Sequence, residues 1–129
     1  MIRIYNAADR VRVLTLDFDP RLRDLLESRF TALADLLDWT EFVIVEPGDT
    51  EADIVREVGF SPLVEPIDGV RFGEEGFQPF WDHFVDHGGW FELSVSFGSS
   101  FAYVLLISAE QPAWPELYQL CRSYVGTSG

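Results

Sequence analysis

From Trp90 to Phe97 polar and apolar side chains alternate, with Phe91, Leu93, Val95 and Phe97 on one face and Trp90, Glu92, Ser94 and Ser96 on the other. That is the period of a half-buried strand. Phe101 to Ser108 (FAYVLLIS) is apolar on both faces and rich in aromatic and β-branched residues, which places it deeper in a sheet. A tight turn at Gly98 joins the two, and its length decides the register. A two-residue type II′ loop at Gly98-Ser99 sets Phe97 opposite Ser100 and Val95 opposite Ala102, whereas a three-residue loop sets Phe97 opposite Phe101 and Leu93 opposite Leu105. Turn chemistry favours the first.

Upstream, Val11 to Leu16 (VRVLTL) alternates as a third strand, with Ile2 to Tyr5 as an edge strand before it. Asp19-Pro20 opens a helix, Asp as the N-cap and Pro at the first helical position, where its missing donor costs nothing. Leu22, Leu25, Leu26, Phe30, Leu33, Leu36 and Leu37 carry that helix to about Leu37 as one apolar stripe. Glu41 to Val45 reads as a short strand ended by Pro47-Gly48. Thr50, with Asp53 three residues on, begins a second helix that stops at Gly59.

Phe60 to Gly76 loses all periodicity, yet its apolar residues point to a long loop packed down on the body, with Ile67 to Val70 as the tip of a small hairpin. Pro79 to His87 reads as a helix with Phe80, Trp81, Phe84 and Val85 on its apolar side, closed by Gly88-Gly89. Trp114-Pro115 opens the last helix, which runs to about Val125, and residues 126–129 should fray. The expected architecture is α+β in one domain spanning 1–129. It has an antiparallel sheet of about four strands (Val11–Leu16, Glu41–Val45, Trp90–Phe97, Phe101–Ser108), with the Pro20–Leu37 and Pro115–Tyr124 helices on one face. An uncovered edge on the apolar strand 101–108 would be hazardous, so a homodimer stays open.

Charge narrows the function. The net charge is −13, every basic residue is arginine, and from residue 31 onward 17 acids stand against three arginines. Such a surface repels a phosphate backbone and attracts a basic protein, so direct nucleic-acid binding is not expected. No apolar run reaches the roughly 20 residues of a membrane helix, and MIRIYNAADR lacks a signal peptide's apolar segment. With a single cysteine, Cys121, a cytoplasmic protein is the simplest reading.

Four groups of residues could carry chemistry. Leu14 to Pro20 (LTLDFDP), an apolar stretch ending in Asp-x-Asp, resembles the first motif of the haloacid dehalogenase-type phosphotransferases. That resemblance implies Asp17 as nucleophile and Asp19 as general acid. It spans seven residues, Pro20 departs from the family's Thr or Val, and the chain has no lysine for the family's downstream base, so Asp19 is read as a helix cap beside a solvated Asp17. His83 and His87, four apart, could share a metal on a helix, but two ligands rarely make a specific site and no metal is assigned. Cys121 lies on an apolar stripe and reads as core. Ser94, Ser96, Ser99 and Ser100 have no nucleophile elbow around them, and Gly69, Gly73 and Gly76 form no phosphate loop, so no cofactor is expected.

The expected function is therefore a non-enzymatic, acidic protein-binding module engaging a basic partner. Small acidic bacterial proteins of the inhibitor, immunity or antitoxin kind are examples by size and charge. Its surface is assigned to Glu65, Asp68, Phe72, Glu74, Glu75, Phe77, Trp81, Asp82 and Asp86, acids interleaved with aromatics on an irregular segment. The alternative is a small hydrolase or metal-dependent enzyme using His83 and His87 with nearby carboxylates.

Overall fold

The computed structural model describes residues 1–97 and 101–124. It is an α+β fold built on one mixed sheet of five strands, β1 (Ile2–Ile4), β2 (Thr40–Val45), β3 (His83–Asp86), β4 (Trp90–Phe97) and β5 (Phe101–Ser108), in the order β1-β2-β5-β4-β3. β2 and β5 run parallel, and the other pairs are antiparallel. The helices are α1 (Ala7–Val13), α2 (Pro20–Ala32), α3 (Glu51–Val58) and α4 (Pro115–Tyr124), with a 3₁₀ segment at Ala34–Trp39.

β5 sits at the centre, as its apolar composition requires, between β2 and β4. Residues 104–107 of β5 and all six residues of β2 are buried, because helices cover both faces of the sheet. Leu22 and Leu26 of α2 pack with Phe42, Ile44, Val104 and Leu106 on one face, while Ile54 of α3 and Leu117, Leu120 and Cys121 of α4 pack with Val43, Val45, Leu105 and Ile107 on the other. The two longer helices thus lie on opposite faces, not on one. Two-sided cover also explains the parallel pairing of β2 with β5, since a strand buried on both faces needs no solvated side. The flanks of β5 are occupied, so the argument for a homodimer from an uncovered edge falls away.

The antiparallel sheet of about four strands is thus corrected to a mixed sheet of five, and three further sequence expectations are corrected. The strand expected at Val11–Leu16 is instead the end of α1 and a turn. Asn6 accepts from the Asp9 amide while Asp9 accepts from the Asn6 amide, a reciprocal cap that outweighs a three-residue alternation; Val13 is buried and Val11 faces water. The helix expected at Pro79–His87 is an irregular stretch followed by β3. Phe84 faces inward opposite Leu93 and stacks on Phe91 at 5.8 Å, and Gly88-Gly89 turn the chain into β4. A short apolar run bounded by glycines fits either state, and pairing with β4 decides it. The β4–β5 register sets Phe97 opposite Phe101 and Leu93 opposite Leu105, the three-residue alternative, so matching of large apolar pairs outweighs turn preference. The turn itself and the frayed end at 126–129 lie outside the described residues.

Other expectations hold. Pro20 starts α2 under an Asp19 cap, although the apolar stripe continues as a 3₁₀ turn after Ala32 and leaves Leu36 exposed. Thr50 and Asp53 form the capping box of α3, and Gly59 ends it in the left-handed region at φ 87°, where a side chain would be strained.

The 60–76 loop is packed down, as its apolar residues suggest, and a bridge from Val64 to Arg71 makes Ile67–Val70 a hairpin tip. Arg71 holds it in place. Its guanidinium donates to both oxygens of Glu51 (2.9 and 2.8 Å) and to Glu116 of α4 (2.7 Å), while Ser61 donates to Glu51 and accepts from the Leu63 amide, seating Leu63 in the core. Because this fork is partly exposed, Arg71→Ala is expected to cost only about 1 kcal/mol of global stability. Its larger effect is local: limited proteolysis should cut the variant within residues 60–76 well before the wild type, with the same fragments appearing at lower protease.

Candidate functional site

Aromatic rings dominate the face covered by α3, α4 and the long loop. Phe72 touches Phe77 (centroids 5.7 Å), Phe77 touches Trp81 (6.4 Å), Trp81 touches Phe80 (5.7 Å), Phe80 touches Phe60 (6.1 Å) and Phe60 touches Tyr103 (5.3 Å). Tyr103 then meets Phe101 (5.1 Å), which meets Tyr5 (6.0 Å). Among the described residues these eight rings form one continuous ribbon. The seven from Phe72 to Phe101 are half-buried and Tyr5 is half exposed, so each shows a surface to solvent. Sequence spacing could not disclose the ribbon, because its members come from the loop, from β5 and from the residue after β1.

The surface expected at residues 65–86 divides by role. Phe72, Phe77 and Trp81 pack against the core as the floor of the loop. Three of the acids shape the backbone: Glu65 accepts from the Gln78 amide, Glu74 from the Arg71 amide (2.8 Å) and Asp86 from the Gly88 amide (2.9 Å). The other three do not. The carboxylates of Asp68, Glu75 and Asp82 are exposed and accept no hydrogen bond or ion pair among the described residues. Their charge faces solvent.

At the far end of the ribbon lies a hollow of about 450 Å³ lined by Arg3, Tyr5, Asp9, Glu41, Phe101 and Tyr103. A second, of about 330 Å³, shares Phe101 and Tyr103 and is completed by Val58, Gly59, Phe60 and Pro66. Glu41 is 2% exposed and takes a two-pronged pair from Arg3 (2.7 and 3.1 Å). Asp9 is held below the usual carboxylate range, first by the amides of Tyr5 and Asn6 and then by nearby arginines, so it is firmly ionised. Burial, followed by the charge of Glu41, pushes the Tyr103 phenol up, so it stays neutral. None of these residues was assigned to a site from sequence. The signal available was Glu41 within an otherwise apolar strand, a buried acid that needs a partner.

The residues considered for catalysis are placed differently. Leu14–Leu16 is not a strand, so Asp17 and Asp19 do not stand at a strand end as the phosphotransferase motif requires. Asp19 caps α2 through the Arg21 amide (2.9 Å) and also accepts from the Arg21 guanidinium and the Trp90 indole (both 3.0 Å). The Arg21 side chain first, and Trp90 next, bring its pKa down to about 2, which leaves no proton for a general acid to give near neutral pH. Arg21 also donates to the Gly88 carbonyl (3.0 Å), and it lies so close to Gly89 that a Cβ there would be 2.7 Å from its nitrogen.

His83 and His87 do not stack on a helix. Four residues of extended chain hold them roughly 13 Å apart, with His83 exposed on β3 and His87 Nε2 set 2.7 Å from Glu92 Oε1. Glu92 is 3% exposed, and Arg29 of α2 reaches the same oxygen at 2.8 and 3.1 Å. Among the described residues no group of three or more His, Cys, Asp or Glu side chains is placed to share a metal ion. Cys121 is fully buried, and burial first, then the charge of Asp86, pushes its thiol up to about 12, which keeps it protonated and inert.

In comparisons with protein-family models, curated proteins and solved structures, nothing matches this chain. No helix among the described residues is long and apolar enough to cross a membrane.

Proposed function

We propose that this chain is a non-enzymatic binding protein that engages a basic protein partner through the aromatic-floored, acid-rimmed face of residues 60–86. The observation that supports this most directly is the division among its acids: Asp68, Glu75 and Asp82 are exposed and, among the described residues, unpaired, on a segment whose half-buried rings pack against the core. Rings supply contact area at small entropic cost, and a rim of one sign steers and orients an oppositely charged partner. An inhibitor, immunity or antitoxin-type role fits such a face by size and charge, where the surface to be occluded is cationic. A cytoplasmic setting accords with the single buried thiol.

Asp68→Asn, Glu75→Gln and Asp82→Asn together remove three charges without touching the acids that shape the loop. Immobilised wild type is expected to retain a basic protein from its own host's lysate at low salt and to release it at about 0.5 M salt. The triple variant should bind the same protein roughly tenfold more weakly at low salt, with nearly equal affinity at high salt. Equal retention by both, or retention that salt does not disturb, would sink the proposal.

A further inference from the structure

The hollow at the end of the ring ribbon has a chemistry that the loop face does not. Tyr5, Phe101 and Tyr103 wall it with rings mutually inclined, at 32° for Tyr5 with Phe101 and 74° for Phe101 with Tyr103, the latter pair meeting edge to face. The face of an aromatic ring is the negative side of its quadrupole, the side to which a cation is drawn. Two carboxylates, Asp9 and Glu41, complete the lining. Arg12 and Arg10 reach Asp9 and the Tyr5 carbonyl at its margin, and among the described lining residues the one cation, Arg3, is already engaged: both oxygens of Glu41 hold it, and Glu57 of α3 lies 3.8 Å from its remaining nitrogen. It therefore offers little to an anion, and the protein's net charge of −13 repels one.

We infer that this hollow is an aromatic cage for a cationic side chain, the guanidinium of an arginine or the ammonium of a lysine, projecting from the basic partner. The assignment rests on the binding reading above and adds the residue type that the partner must present. Ring faces attract the cation without stripping all its water, and Asp9, fixed by two backbone amides and ionised, offsets what desolvation costs. Asp9 also draws on Arg12, but that contact uses its other oxygen and an arginine that is largely exposed. The second hollow, sharing Phe101 and Tyr103, gives the stem of a long side chain an apolar bed at Val58, Phe60 and Pro66.

The cage can be tested without the partner. The full chain, labelled with ¹⁵N, is titrated with Nα-acetyl-arginine methylamide, Nα-acetyl-lysine methylamide and the neutral N-acetyl-norleucine methylamide. The cationic amides should produce saturable shifts centred on Tyr5, Glu41, Phe101 and Tyr103, and the neutral one should bind about threefold to tenfold more weakly. Tyr5→Leu, at a half-exposed position that the core does not need, should weaken the cationic amides by about threefold to fivefold and leave the norleucine amide unchanged. Comparing the two cations decides whether arginine or lysine is preferred. Equal binding of the norleucine amide, shifts spread over the acidic surface, or no shift at these residues overturns the cage. Any of those results leaves the loop-face reading standing, because that reading is judged by the Asp68, Glu75 and Asp82 variant and partner capture.

Discussion

Leu105→Ala and Leu106→Ala will each lower the free energy of unfolding by about 3 kcal/mol, and by similar amounts. The two are neighbours on β5, so their side chains point to opposite faces, and both are fully buried, Leu105 under α3 and α4 and Leu106 under α2. Each truncation leaves a cavity that rigid strands on both sides cannot close. A sheet with all its helices on one face would leave one of these positions solvated, and substitution there would cost less than about 0.5 kcal/mol. Urea denaturation of the two variants settles the point: comparable falls in midpoint at unchanged slope are expected, and one tolerant variant would remove a layer from the fold.

The second large effect lies at Glu92. Arg29→Ala leaves this carboxylate buried with, among the described residues, His87 as its remaining side-chain partner, and a cost of about 3 kcal/mol is expected, the range for removing one partner of a buried pair. The reasoning also predicts a rescue. Arg29→Met combined with Glu92→Leu replaces the charges with apolar side chains of similar size, and it should recover most of the loss or exceed wild type. Were Arg29→Ala to cost less than about 0.5 kcal/mol, Glu92 would be better solvated than its 3% exposure indicates.

The sequence disclosed what local chemistry decides. The β4–β5 hairpin, the Asp19-Pro20 start of α2, the Thr50 and Asp53 cap and the Gly59 stop each rest on side chains within a few residues of one another. What it concealed depends on partners distant in sequence. His83–Asp86 became a strand because β4 lay beside it, and the Gly98 turn preference gave way to pairs such as Leu93 with Leu105. Asn6 and Asp9 were legible as a cap in hindsight, but the alternation of Val11 and Val13 competed with them and suggested a strand.

The site divides in the same way. The acids and aromatics of residues 65–86 could be picked out by composition, because they are clustered along the chain. Their separation into loop-shaping and unpaired carboxylates could not, since it turns on which acid meets an amide such as that of Gln78. The cage was invisible, as Arg3, Tyr5, Glu41 and Phe101 are brought together only by the order β1-β2-β5.

The most direct measurement of the binding proposal is hydrogen exchange of the chain alone and with the captured basic partner. Slowed exchange should concentrate in residues 60–86 and extend along the ring ribbon to Tyr5 and the start of β5. Slowed exchange confined to α1 and α2, with the loop face as free as before, would contradict it.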